Sequence, residues 1–197
     1  MIGKELARAV RDAQACRLCA KDLPHTPRPV LQVRASARFL IVGQAPGTKV
    51  HASGVPFDDR SGDRLRDWLG VDRATFYEHP AIAILPMGLC FPGQDSHGGD
   101  LPPIKICAPT WHPRIRPLLP ALELTLLVGQ YAQVHYLGRR RKPSLTATVQ
   151  AWRDYAPEFL PLPHPSWRNT GWLKRNAWFA EDVLPALRGH VARVLHG

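Results

Sequence analysis

Four short apolar runs constrain this chain more than any other feature. They are RFLIV at 38–42, AIAIL at 81–85, LTLLV at 124–128 and FLPL at 159–162. Each is too short for a core helix and too continuously apolar for a strand with one wet face. Such runs suit strands covered on both sides, as in a parallel sheet. The intervals between them carry helical signals. Leu6, Val10 and the alanines share one side of a helix predicted over 3–19. Ser61–Leu69 predicts a second helix, with Ser61 as N-cap and Leu65, Trp68 and Leu69 facing inward. A third begins at Tyr131, and a helical segment runs from Trp172 to about Val194 with an interruption near Pro185. Strands alternating with helices predict an α/β layer fold around a parallel sheet. No repeat or linker divides the chain, so 1–197 is expected to form a single domain.

In open parallel sheets, ligands bind beyond the carboxyl ends of the strands. Three of the four runs end in unusual peptides: GQAPG after the first, PMGLCFPG after the second and HPSWRN after the fourth. The fold reading therefore gathers these segments on one rim and makes that rim the expected site.

Charge narrows the partner. Lys and Arg number 26 against 16 acidic residues, a net charge of +10. Residues 101–197 carry 13 basic and 5 acidic side chains, so +8 of that charge lies in the second half. An anionic partner is implied, nucleic acid or a membrane surface being the usual candidates. With 45% apolar residues and six tryptophans, the composition is not that of a disordered chain. No apolar run approaches the roughly 18 residues of a membrane span. The N-terminal stretch alternates charge with alanine, unlike a secretory signal, which favours a cytoplasmic or nucleoid-associated setting.

The cysteines are Cys16, Cys19, Cys90 and Cys107, in the pattern C-x2-C-x70-C-x16-C. Without an export signal they read as metal ligands or thiols rather than disulfides. The first pair can reach one ion from a helix end or a turn. The second pair brackets a Gly- and Pro-rich loop. Four thiolates from two remote segments suit either tetrahedral zinc or a [4Fe–4S] cluster, and spacing alone does not separate them.

GQAPG after a strand, then GVPFDDRSG, then HPSWRN near the C-terminus, in that order, resemble the uracil-DNA glycosylase superfamily. The cysteine spacing is similar to that of its iron–sulfur branch, family 4. The similarity runs from about Cys16 to Leu187. It implies a three-layer α/β/α fold with a central four-stranded parallel sheet. It also implies hydrolysis of the N-glycosidic bond of uracil or another deaminated base in DNA, and a structural [4Fe–4S] cluster on the four cysteines, with zinc as the alternative. The target base must leave the stack before it can be attacked. By resemblance, His164 hydrogen-bonds the departing base and stabilises its negative charge. Gln44 lies near the base, and the backbone of Gly43, Ala45, Pro46 and Gly47 approaches the ligand. Phe57 holds the position of the aromatic that stacks on the flipped base, a place that also suits a core phenylalanine. Ser166 completes the third motif. Trp167 and Arg168, with Lys174 and Arg175, are expected to contact DNA, Trp167 and Arg168 filling the gap left by the base. The run Arg139–Lys142 reads as a solvated face.

Two positions depart from the family pattern. Ala45 stands where the most efficient branch has a water-positioning aspartate, which leaves Asp58 and Asp59 as candidates, each equally suited to orienting Arg60 or capping the helix that follows. Pro86 stands where the family carries an asparagine that reads the uracil edge, and proline offers neither a side-chain amide nor an N–H. The base is thus left open between uracil and other deaminated or damaged bases. The same departures make a non-catalytic DNA-lesion binder on this fold the chief alternative. A zinc-stabilised protein-interaction domain is a third class, which predicts no salt-sensitive DNA binding and no effect of substituting His164.

Overall fold

A computed structural model describes residues 2–197. Its centre is a four-stranded sheet of β1 (Phe39–Val42), β2 (Ile82–Ile84), β3 (Leu124–Val128) and β4 (Phe159–Leu162). The spatial order is β2-β1-β3-β4, and all three pairings are parallel. Every strand residue is buried, which explains why the runs carry no polar alternation. The last two strands have the predicted bounds, and the first two are one residue shorter at one or both ends.

Side chains alternate between two cores. Phe39, Ile41, Ile82, Ile84, Leu126 and Leu160 belong to one cluster, and Leu40, Val42, Ala83, Leu85 and Leu127 to the other. The first is covered by α3 (Arg60–Leu69), α4 (Arg73–Glu78), α7 (Leu145–Gln150) and α9 (Leu184–His196). The second is covered by α1 (Ile2–Gln14), α5 (Cys107–Ile115) and α6 (Gln130–Leu137). Two short helices, α2 (Thr48–Ser53) and α8 (Thr170–Arg175), lie in the segments following β1 and β4. The architecture is the expected three-layer α/β/α sandwich. No helix among the described residues is long and apolar enough to cross a membrane.

Three local expectations are corrected. The first helix ends at Gln14, not Cys19, so Cys16 and Cys19 lie in the turns that follow it. The second starts at Arg60, and its N-cap is Asp59 rather than Ser61. The Asp59 carboxylate accepts a 2.8 Å hydrogen bond from the Gly62 N–H, and a carboxylate at this end also meets the positive pole of the helix dipole. The C-terminal segment is not broken at Pro185. That proline sits in the first turn of α9, where its missing N–H costs nothing, and the break falls at Asn176 and a π-helical turn, Phe179–Val183.

Candidate active site

Strand order makes β1 the topological switch: the chain leaves it for β2 on one side and returns to β3 on the other. Ligands favour the carboxyl ends at such a point. A cavity of about 820 Å³ opens there, lined by segments following all four strands. Gly43 to Val50 come from β1, Ile84 and Pro86 from β2, Gly129 and Gln130 from β3, and His164, Ser166, Trp167, Arg168 and Asn169 from β4. The sequence pointed to three of these rims. The fourth, Gly129-Gln130, escaped notice because a Gly-Gln pair after a strand looks like an ordinary turn.

His164 sits deep in this cavity and is locked by its neighbours. The Ser166 N–H donates to its Nδ1 at 3.2 Å, and the Asn169 side-chain amide donates to its carbonyl at 2.7 Å. Gly129, at φ +86°, lies against the imidazole, where a Cβ would stand 3.4 Å from that of His164. Burial lowers the His164 pKa to about 4, so the ring is neutral at physiological pH. A neutral ring whose Nδ1 accepts a hydrogen bond carries its proton on Nε2. His164 is therefore a neutral donor held in one tautomer.

Phe57 satisfies both readings of its position. It packs edge-on against Phe76 at 6.2 Å, lines the cavity and lies against the first core. Its ring occupies the space above Gly43, where a Cβ would meet it at 2.8 Å, so only glycine fits at the head of GQAPG. Phe57 also holds φ +56°, a left-handed conformation that bulky residues rarely adopt.

The two aspartates separate. Asp58 pairs with Arg73 at 2.8 Å, which pulls its pKa down, and it is not among the lining residues. Asp59 lines the cavity. Burial raises its pKa, against the pull of the Gly62 and Ser61 N–H groups. Gln44, Ala45, Pro46, Gly47, Pro86 and Ser166 all line the cavity as well. At the mouth, Trp167 is 72% exposed, with the Arg168 guanidinium 5.6 Å from its ring centre. Arg64 donates to the Ser166 carbonyl at 3.0 Å and steadies the base of that turn. Lys174 and Arg175 are exposed on α8 without entering the cavity.

The four cysteines are free of disulfides, with Cys19 and Cys107 buried. Burial is the first cause raising the Cys90 thiol to about 11 and the Cys107 thiol to about 12, and charge on the other thiols adds to both. Thiols are soft donors, and a cation beside them favours their ionised form. No three His, Cys, Asp or Glu side chains among the described residues stand close enough together to hold a single ion.

The family described as the Uracil DNA glycosylase superfamily matches residues 31–188, most of the chain.

Proposed function

The chain belongs to the uracil DNA glycosylase superfamily, and from that premise we propose that it is a monofunctional DNA glycosylase. Its substrate is uracil or another deaminated base flipped out of DNA. The observation that carries this reading is His164, a neutral imidazole with its proton on Nε2, in a cavity ringed by all four strand ends.

The flipped base enters beside Phe57, whose ring offers a stacking face. As the C1′–N bond lengthens, its electron pair goes to the base, and negative charge spreads onto the base oxygens. The Nε2–H of His164 donates to that charge. A neutral donor pre-set in place stabilises the departing anion without reorganising as the bond breaks. Asp59, facing the cavity with a raised pKa, orients the water and takes its proton as the oxygen bonds to C1′. The products are the free base, which recovers a proton, and an abasic sugar. Trp167 and Arg168 at the mouth press into the gap left in the duplex, while Lys174 and Arg175 add positive charge on the flank.

Cys16, Cys19, Cys90 and Cys107 would hold a [4Fe–4S] cluster. Their soft donor chemistry and mutual charge effects support this. Such a group would tie the segment after α1 to the loop between residues 90 and 107, and it would supply support rather than electrons to a hydrolysis. Iron and sulfide analysis of freshly purified protein tests this; zinc without iron overturns it.

The test of function is incubation with uracil-containing single- and double-stranded oligonucleotides, followed by alkaline cleavage of abasic sites. Strand breaks that vanish in His164→Ala support the enzyme. Binding without breaks supports a lesion binder instead.

A further inference from the structure

Pro86 occupies the place where a base-reading side chain is expected, and the structure accounts for every N–H around it. Leu85 donates to the Ile41 carbonyl at 3.0 Å, Met87 to Gly43 at 2.9 Å, Gly88 to Gln44 at 2.8 Å and Leu89 to the Cys107 sulfur at 3.3 Å. Pro86 has no N–H to offer. Its carbonyl is also engaged, because His112 of α5 stands with Nε2 at 3.0 Å from it.

His112 is 3% exposed, and its Nδ1 lies 2.7 Å from the Tyr136 hydroxyl of α6. A carbonyl can only accept, so the imidazole proton must be on Nε2, and Nδ1 must accept from Tyr136. Burial holds the ring neutral and the phenol protonated, which leaves this order undisturbed. The result is one directed chain: Tyr136 O–H to His112 Nδ1, and His112 Nε2–H to the Pro86 carbonyl. It draws that carbonyl toward α5, on the second core. Strand alternation sets Ile84 and Pro86 on the cavity side, and Leu85 and Met87 on the other.

We propose that Tyr136 and His112 are positioning residues that turn the Pro86 carbonyl away from the base pocket, leaving a β2 wall with neither a hydrogen-bond donor nor a free acceptor, so that the pocket admits deaminated purines as well as uracil. The inference rests on the glycosylase reading above. A wall with no donor cannot favour the carbonyl pattern of a pyrimidine edge over that of a purine. Selection then falls to the stacking face at Phe57, the room in the cavity and the stability of the departing anion at His164. Hypoxanthine and xanthine, like uracil, are lactams that leave as delocalised anions. Cytosine is a poorer leaving group, and the exocyclic amines of cytosine and adenine find no free acceptor on this wall, because the Pro86 carbonyl is taken by His112.

The experiment is single-turnover excision from matched oligonucleotides carrying uracil, hypoxanthine, xanthine, cytosine or adenine. The three deaminated bases should be removed at rates within about tenfold of one another, with cytosine and adenine intact. Removal of uracil alone overturns the inference and leaves the glycosylase reading standing. Removal of none overturns both. His112→Phe deletes the donor, and the freed carbonyl should change the hypoxanthine-to-uracil ratio by about tenfold. His112→Gln, which can place an N–H near the same carbonyl, should restore the ratio. Tyr136→Phe provides a second variant with less change of volume, expected to move the ratio in the same direction. An equal loss on every base in these variants, with the ratio unmoved, would reduce His112 to scaffold and overturn its positioning role.

Discussion

Two inward-facing histidines, His112 buried and His164 partly open to the cavity, invite comparison. His164 and His112 both have a pKa near 4, both carry their proton on Nε2, and both are oriented through Nδ1 by a neighbour's hydrogen bond. They differ in what Nε2–H finds. That of His112 meets a backbone carbonyl and completes a closed chain. That of His164 has the cavity in front of it. One fold thus uses the same chemical unit twice, once satisfied by the protein and once left for a ligand. Burial and a lowered pKa do not distinguish a catalytic imidazole from a structural one; the partner of the last proton does.

The most direct attack on this contrast is to remove the open donor. His164→Ala should lower single-turnover excision about 10³-fold while leaving the melting temperature within a few degrees of the parent. A comparable loss of stability would make His164 another His112. Next in size is Asp59, which lines the same cavity. Asp59→Asn keeps an oxygen able to cap α3 through the Gly62 N–H, so folding should persist while the rate falls about 10²-fold. An unchanged rate would confine Asp59 to its capping role.

Acid titration should treat the two histidines alike. Their folded pKa lies below the ordinary 6.5, so the unfolded chain takes up protons first as pH falls. Stability is complete above about pH 6.5 and declines toward about pH 4, and His112 alone accounts for about 2 kcal/mol of loss by pH 5. Denaturant titrations at pH 7 and 5 should show this loss, and His112→Gln should flatten it. The smallest effect belongs to the mouth of the cavity. Trp167→Ala should slow excision from duplex about tenfold and from single strands less, since only a duplex has a gap to fill.

The sequence made the outline of this arrangement readable because β3 and β4 stand between strong punctuation and carry apolar residues at every position but Thr125. The rim was readable because GQAPG and HPSWRN put two glycines, two prolines and a histidine together where strands stop. What escaped was whatever depends on distance along the chain. Pro86 and Tyr136 lie 26 and 24 residues from His112, so nothing local marks that imidazole as their link. The N-cap of α3 falls on Asp59, the capping alternative the sequence also offers, rather than on Ser61: Asp and Ser both cap well, and two residues of register decide between them. The end of α1 was misplaced because no glycine or proline separates Gln14 from Cys16, and the turn there is set by tertiary contacts.

The loop between Pro86 and His112 is closed at its root by the carbonyl–imidazole bond and again, a few residues in, by the Leu89 N–H on the Cys107 sulfur. Mechanically these are two rungs across the neck of a long excursion whose tip, near Asp95 to Asp100, reaches toward Gly47 and Arg168 at the cavity mouth. A force applied at the tip, such as the push of a bound strand, is shared by the rungs before it reaches the floor. The neck acts as a strain relief: the exposed tip can yield while the cavity wall at Pro86 keeps its shape.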